Sequence, residues 1–261
     1  MTTTSSAVIG TAISTDGTSI AWQRQGTGPG LVLVDAVLFD RSTSPSAELI
    51  DPLAETFTVI SYDRRGKGAS GDTQPWAPAR EAEDLAAVTA AAGITPVNAY
   101  GLSSGGTLAL YTAAIGVPLD RLVVLEPPLG PLPGVGDLEE RLTALVAAGQ
   151  GAEAIRTFHE FQGMPTEVID QLAPMREALA PAAGTLRYDT TLSDTVTDEL
   201  LASVGAPTLA LSSQASPSLL TNFAERVGAG VTQGQHRSLP GDWHGVEPAV
   251  LIDQIRQFCL A

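Results

Sequence analysis

Short apolar runs alternate along this chain with amphipathic stretches, and the alternation predicts its architecture. The runs are typical of strands buried on both faces, and the stretches between them have helical spacing. The strand patterns cover residues 31–34, 57–62, 97–102, 122–125, 207–212 and 235–240. The helical patterns cover residues 45–55, 79–92, 107–115 and 247–260. This order predicts an α/β fold, a mostly parallel sheet with helices on both faces.

The chain is predicted to open with a β-hairpin. Between residues 12 and 22, two β-prone runs flank the pair Asp16-Gly17. This pair is typical of a two-residue hairpin turn, in which both central residues adopt positive φ.

The alternation breaks in the middle of the chain. Helical patterns at 138–148 and 152–161 follow one another with no strand between them. We therefore expect a core formed by residues 1–129 and 196–261, interrupted by a helical cap at 130–195.

Composition indicates a globular protein and excludes some partners. Of the 261 residues, 44% are hydrophobic and 16% are charged, which suits one α/β domain with an insertion. The 14 Lys and Arg residues against 29 Asp and Glu give a net charge of −15. Such a field repels phosphate backbones and anionic lipids, so we expect neither nucleic acid nor a membrane as a partner.

The single cysteine, Cys259, permits no intramolecular disulfide and lies in an apolar setting typical of a core residue. The first residues lack the features of a signal peptide, and no apolar run approaches the ~20 residues of a membrane span. We expect a cytoplasmic protein. A homodimer is compatible with the sequence.

The segment Gly101-Leu-Ser-Ser-Gly105 matches the pattern G-x-S-x-G. It lies between a predicted strand and a predicted helix, the context in which this pattern forms a strained turn that exposes its central side chain. A Gly/Ser-rich turn without chemistry is the alternative, and the context disfavours it. We interpret Ser103 as a nucleophile. Ser104 would begin the helix, with its N–H facing a developing oxyanion.

A nucleophilic serine needs a general base, and the chain has 3 histidines. His244 lies between the last predicted strand and the closing helix, downstream of the serine, and we assign it as the base. His236 lies on a predicted strand and His159 in the cap, where we interpret it as a cap or pocket residue. No H-E-x-x-H pair is present, so the sequence predicts no zinc site.

The base needs a carboxylate that orients it and stabilises its protonated form. The loop after residues 207–212 contains no Asp or Glu, whereas Glu126 directly follows the strand at 122–125. That position is on the sheet edge where α/β folds build their sites, so we assign the acid to Glu126. Asp242 is the rival, although beside Gly241 it is more typical of a turn.

Three motifs resemble the α/β-hydrolase fold family over essentially the whole chain. They are the turn around Ser103, a segment that looks like the family's D-x-R-G-x-G-x-S (62–71), and an oxyanion-loop strand (31–36). The resemblance implies an eight-stranded, mostly parallel sheet with a helical cap. Segments carrying Ser103, Glu126 and His244 are also similar to zearalenone-lactonase-like hydrolases, which take their acid from the strand after the nucleophile.

One segment departs from these relatives. Many carry His-Gly at the oxyanion loop, and the lactonase-like pattern has Asp-Gly, whereas this chain has Asp35-Ala36. A backbone donor survives a change of side chain, so we expect the N–H of Ala36 or Val37, together with that of Ser104, to bind the oxyanion. The negative charge of Asp35 would destabilise the oxyanion unless the side chain points away or is neutralised.

Two other patterns imply no cofactor. We interpret Asp63, Arg64 and Arg65 as a turn held by hydrogen bonds rather than as an anion site. The glycines at 26–30 precede a strand instead of linking a strand to a helix, so they do not match a dinucleotide-binding turn.

These residues predict a cofactor-free serine hydrolase of a small, apolar carboxylic ester or lactone, acting through an acyl-enzyme on Ser103. A non-hydrolytic ligand-binding member of the fold stays open, because of Asp35-Ala36. A haloperoxidase or C–C hydrolase stays open too, because it would use the same triad. The side chains expected to line the pocket, or else to pack the cap onto the core, are Leu38, Phe39, Leu129, Phe158, Phe161, Met164 and Tyr188.

Overall fold

The computed structural model describes residues 7–261, and it confirms the predicted α/β fold. An eight-stranded sheet has the spatial order β1-β2-β4-β3-β5-β6-β7-β8. The strands β1 and β2 pair antiparallel with their neighbours, and the pairs from β4 to β8 are parallel. The strands are β1 Val8–Ile13, β2 Ser19–Gln25, β3 Gly30–Val34, β4 Thr58–Tyr62, β5 Val97–Leu102, β6 Leu119–Leu125, β7 Thr208–Ser213 and β8 Gly234–Leu239.

Helices cover both faces of the sheet because each buried strand is apolar on both sides. In β3, Leu31 and Leu33 pack toward one helical layer, whereas Val32 and Val34 pack toward the other, as the period of two in a strand requires. The first layer contains α1 Ala47–Ala54 and α11 Pro248–Cys259. The second contains α2 Pro78–Ala91, α3 Ser104–Ala114 and α10 Ser218–Gly230.

A helical insertion, residues Val135–Ala202, separates β6 from β7 and has an apolar cluster of its own. Leu142, Ile155 and Leu186 are buried in that cluster. The helices of the insertion are α4 Val135–Ala147, α5 Gly151–Phe161, α6 Thr166–Gln171, α7 Ala173–Leu179, the 3-10 helix Ala180–Thr185, α8 Leu186–Thr195 and α9 Asp198–Ala202.

The first hairpin is present, but the predicted turn geometry is wrong. Residues 14–18 separate β1 from β2, and of the pair at the turn only Gly17 has positive φ. The loop is closed by a hydrogen bond from the Ser14 N–H to the Thr18 carbonyl. The Asp16 carboxylate accepts the N–H of Thr18 at 3.0 Å and also pairs with Arg65 at 3.0 Å. These bonds favour the longer loop over a two-residue turn.

Cys259 is buried, as predicted, and burial raises the pKa of its thiol to about 12. Among residues 7–261, no helix is both long and apolar enough to cross a bilayer. Within the same residues, no group of three or more His, Cys, Asp and Glu side chains is arranged as metal ligands would be.

Arg64 and Arg65 lie at the turn that follows β4, and both are buried cations. Arg64 donates to both carboxylate oxygens of Glu81 in α2, at 2.7 and 2.9 Å, and to Asp189 in α8 at 2.7 Å. Arg65 donates to both oxygens of Asp84, also in α2, at 2.6 and 2.7 Å. The predicted turn is present, since the Asp63 carboxylate accepts the N–H of Ala69 at 2.9 Å, but the guanidinium groups bond to other elements rather than to the turn.

The charge of Asp189 ties the insertion to the core. Lys67 is also buried and lies 3.4 Å from this carboxylate, so Asp189 faces two cations. Burial and the charge of Arg64 lower the pKa of Lys67 to about 8, against the attraction of Asp189. A buried charge that loses its partner is costly, so this cluster holds α8 in place.

We expect Asp189→Asn to lower the free energy of unfolding by about 3 kcal/mol, because it leaves Arg64 under-compensated in the interior. Release of the Lys67 proton would limit the loss. Asp198→Asn is the matched control, since Asp198 is 73% exposed in its pair with Arg226 and its loss should cost under ~1 kcal/mol. Urea unfolding at neutral pH measures both, and equal losses would contradict a stabilising role for the cluster.

Candidate active site

Ser103 lies at the sharp turn between β5 and α3. Its φ of 50° and ψ of −124° are strained values for a side-chain-bearing residue. The turn is held by the Ser103 N–H, which donates to the Leu125 carbonyl at 2.9 Å. Its side chain faces the cavity above the carboxyl ends of the strands.

The two glycines of the motif are required by close backbone approach. A Cβ on Gly105 would overlap the carbonyl oxygen of Val34, because the start of α3 lies against the end of β3. A Cβ on Gly101 would overlap the backbone of Gly106 one turn away. The sequence G-x-S-x-G is thus a packing requirement of the strained turn.

His244 is presented by a small hairpin beyond the end of β8. Strands β9 Gly241–Asp242 and β10 Gly245–Val246 pair antiparallel, with Asp242 opposite Gly245. The two residues between them, Trp243 and His244, have φ of 45° and 65°. Positive φ at both positions is typical of a two-residue hairpin turn that normally uses Asn and Gly, so this turn is strained.

Glu126 directly follows β6 and its side chain is completely buried beside His244. Its Oε2 lies 2.7 Å from Nδ1 of His244 and accepts the backbone N–H of His244 at 3.1 Å. Its Oε1 accepts the N–H of Ser213 at 2.7 Å. The rival carboxylate, on Asp242, is exposed.

The surroundings of Glu126 keep it ionised. Burial alone would raise its pKa, but the contact with His244 and hydrogen bonds from Ser213 and Ser216 outweigh burial and lower the pKa below its ordinary value. A charged acceptor is the form that can orient an imidazole through Nδ1 and stabilise its protonated form.

Backbone strain is concentrated at this site. Within residues 7–261, the non-glycine residues with positive φ are Leu38, Ser103, Glu126, Trp243 and His244. Each costs free energy that the surrounding structure must supply, and residues of this kind cluster where function requires a side chain to be aimed.

The oxyanion-loop residues Ala36 and Val37 line the same cavity as Ser104. No acceptor within residues 7–261 takes the N–H of Val37 or of Ser104. Asp35 is turned away and accepts a hydrogen bond from Ser46 at 2.7 Å in the interior, where burial raises its pKa. The carboxylate therefore does not compete for the two donors.

The buried charge cluster reaches this loop. Arg64 lies 3.3 Å from the hydroxyl of Ser104 and 3.4 Å from the carbonyl of Asp35, and donates to both. The same guanidinium thus holds the turn after Ser103 and the oxyanion loop at a fixed separation.

The cavity has a volume of about 540 Å³ and is mainly apolar. Of the predicted pocket residues, the structure brings Phe39, Phe158, Phe161 and Met164 to its wall, together with Ser103 and His244 at its base. A site of this kind suits a small ligand with few polar groups.

Three predicted pocket residues lie elsewhere. Leu38 packs into the apolar cluster of the insertion and Leu129 is fully buried in the core. Tyr188 stacks on Trp76 with ring centroids 4.5 Å apart, and its hydroxyl donates to Asp72 at 2.8 Å. These placements correct the prediction, because apolar or aromatic character does not distinguish a wall residue from a packing residue.

The sequence interpretation missed one wall of the cavity. Pro217, Leu220 and Phe223, at and after the start of α10, line it together with Trp243. These residues could have been predicted from their position in the sequence, because they follow the carboxyl end of β7, on the edge where α/β sheets bind ligands.

Comparison with known proteins identifies a family with this fold. Residues 28–254 match the model of a family described as the alpha/beta hydrolase family. A crystal structure of an alpha/beta hydrolase from Sphaerobacter thermophilus DSM 20745 is 38% identical, with a TM-score of 0.89, and the match covers 96% of this chain and 100% of that one.

More distant structures share the fold. An enol-lactonase from Burkholderia xenovorans LB400 is 15% identical with a TM-score of 0.77, over 97% of this chain and 100% of that one. A thermophilic esterase from Thermogutta terrifontis is 22% identical with a TM-score of 0.79, over 97% and 98%. No curated protein matches this chain.

We expect Gly105→Ala to lower the free energy of unfolding by roughly 1–3 kcal/mol, because the new methyl group overlaps the Val34 carbonyl. Gly136→Ala is the matched control. Gly136 lies in α4 with open space around it, so alanine should be neutral or stabilising by up to about 1 kcal/mol. Urea unfolding compares the two variants, and a neutral Gly105→Ala would show that the turn is less tightly packed than described.

Proposed function

The chain belongs to the alpha/beta hydrolase family, and from this premise we propose that it is a cofactor-free serine hydrolase of small, apolar carboxylic esters or lactones. The observation that carries the proposal is the buried Glu126 carboxylate 2.7 Å from Nδ1 of His244, beside the cavity that Ser103 lines. An ionised carboxylate, an imidazole and a serine hydroxyl that a strained turn directs at a cavity are the groups that acyl transfer needs.

In the proposed reaction, the Ser103 Oγ attacks the carbonyl carbon while Nε2 of His244 takes its proton. The tetrahedral intermediate collapses to an acyl-enzyme, and the imidazolium returns the proton to the leaving alcohol oxygen. Water then attacks the ester of Ser103 by the same steps, which releases the acid and restores the serine. Between the described residues, Ser103 and His244 form no hydrogen bond in the free protein; such bonds often tighten only when substrate binds.

Charge is stabilised from two sides in this mechanism. Glu126 faces the imidazolium that forms on His244, and the N–H groups of Ser104 and of Ala36 or Val37 face the oxyanion. The N–H groups of Val37 and Ser104 have no acceptor within residues 7–261, and Asp35 is directed toward Ser46. The presence of Ala36, where the lactonase-like pattern has glycine, therefore does not by itself favour a non-hydrolytic role.

The wall of the cavity supports an apolar substrate. Phe158, Phe161 and Met164 of the insertion face it from one side, and Leu220 and Phe223 from another. The net charge of −15 disfavours anionic substrates. The enol-lactonase and the esterase share the fold at low identity, which is consistent with ester or lactone chemistry in this scaffold.

Replacing Ser103 with alanine should lower the turnover of a p-nitrophenyl ester by roughly 10³-fold or more, because the nucleophile is lost. The same variant should no longer be labelled by a fluorophosphonate probe. Ser203→Ala, an exposed serine in the turn after α9, is the control and should keep full activity and labelling.

Wild-type protein that folds but neither reacts with the probe nor hydrolyses any ester or lactone would refute the proposal and support a ligand-binding role. If the protein turns over substrate only in a haloperoxidase assay or only in a C–C bond cleavage assay, that result would support the corresponding reaction of the same triad instead.

Glu126→Gln should lower turnover by ~10³ to 10⁴-fold, because the amide no longer stabilises the imidazolium. Asp242→Asn should change turnover less than about 2-fold, since a turn carboxylate acts on stability and not on the transition state. Kinetics of both variants, with melting curves to exclude unfolding, test the assignment. The reverse order of effects would transfer the acid role to Asp242.

A further inference from the structure

His159 is a buried histidine on the cavity wall that the proposed mechanism does not use. It lies in α5 of the insertion, is 8% exposed, and lines the cavity that contains Ser103 and His244. Its Nδ1 is fully buried, and no side chain or backbone group within residues 7–261 accepts from it or donates to it. A buried imidazole with an unpartnered nitrogen is unfavourable unless the rest of the ring makes a compensating contact.

The other buried polar side chains that the insertion contributes to the wall are engaged within the protein. Asp189 pairs with Arg64 at 2.7 Å, and the Thr190 hydroxyl donates to Glu139 at 2.7 Å. The Ser193 hydroxyl donates to the carbonyl of Asp189 at 2.8 Å. Against these, Nε2 of His159 has no hydrogen-bond partner within residues 7–261 and, unlike Nδ1, is not fully buried, so it is the ring nitrogen that a ligand in the cavity can reach.

The surroundings of His159 set the charge of its imidazole, and that charge determines which kind of ligand group it can bind. Burial, and then the charge of Arg176, lower the pKa of the imidazole, so the ring is neutral at neutral pH. A neutral imidazole has one N–H donor and one nitrogen acceptor. Such a ring suits a neutral hydroxyl or carbonyl group better than a carboxylate or an ammonium.

We propose that His159 is a substrate-positioning residue that hydrogen-bonds a neutral hydroxyl or keto group remote from the scissile carbonyl. The preferred substrates are then largely apolar esters or lactones that carry one such group, on the part that lies against α5. This inference rests on the proposed hydrolase function for its substrate class, but the hydrogen bond itself is testable without turnover. Within residues 7–261 no hydrogen bond joins the His159 ring to Ser103, Glu126 or His244, so we expect its loss to act on substrate binding.

The test uses the p-nitrophenyl ester of 3-phenylpropanoic acid and its 2-, 3- and 4-hydroxyphenyl counterparts. Wild-type protein should show a KM for at least one hydroxylated ester that is roughly 3- to 10-fold lower than for the parent, the range of one neutral hydrogen bond. His159→Phe should abolish this preference, so that the KM values of this variant for the parent and for the hydroxylated ester agree within about 2-fold. His159→Gln, which keeps a donor and an acceptor, should restore part of it.

Met175→Leu is the matched control, because it changes an apolar wall residue of the insertion and no hydrogen bond. It should keep the preference for the hydroxylated ester. His159→Leu replaces His159→Phe if melting curves show that the phenylalanine variant is unfolded. A preference that persists in the folded apolar variant, or no preference for any hydroxylated ester in the wild type, would overturn the inference.

Calorimetric binding of the same esters to Ser103→Ala protein separates this inference from the proposed function. The inference is supported if Ser103→Ala protein binds a hydroxylated ester more tightly than the parent, and if this difference is lost in the double variant with His159→Phe. This holds even if the wild type hydrolyses none of the esters. Equal binding of parent and hydroxylated esters overturns it whatever the turnover. Failure of hydrolysis and failure of the His159 contact therefore give different results.

Discussion

Arg64 places a guanidinium charge in the interior, at the point where the sheet, the insertion and the turn after Ser103 meet. A buried cation requires anionic and hydrogen-bonding partners on several sides. Glu81 supplies them from α2 and Asp189 from α8, while Ser104 and the carbonyl of Asp35 accept from the remaining side. The requirement to satisfy one side chain thus sets the distance between elements that form the base and the wall of the cavity.

The rigid sheet allows strain to be held at its carboxyl edge. Ser103 and Glu126 follow β5 and β6 directly, and His244 lies on the small hairpin beyond β8, all with positive φ. Parallel strands buried on both faces fix the direction in which each chain segment leaves the sheet. The hydrogen bonds from Ser213 and His244 to the Glu126 carboxylate then join three of these segments.

The cavity combines an apolar wall with polar groups of distinct roles. The buried carboxylate on its wall, that of Asp189, is paired with Arg64 within the protein, so it holds the structure and leaves the buried part of the ligand surface largely neutral. The hydroxyl of Ser103 and the imidazole of His244 face the proposed reaction centre, and the ring of His159 faces the opposite part of the cavity in our proposal. Selectivity would then depend on apolar contact and one hydrogen bond rather than on charge.

The sequence by itself determined the order of strands and helices, the turn at Ser103, and the positions of Glu126 and His244, because these are local patterns. Apolar periodicity specifies which segments are buried, and a G-x-S-x-G motif specifies its own backbone path. Only the tertiary structure decided that Tyr188 packs on Trp76 outside the cavity, since either placement buries the same ring. Arg64 and Asp189 are 125 residues apart, and no local pattern relates them. Their contact exists because folding brings two opposite charges into an interior that neither could enter alone.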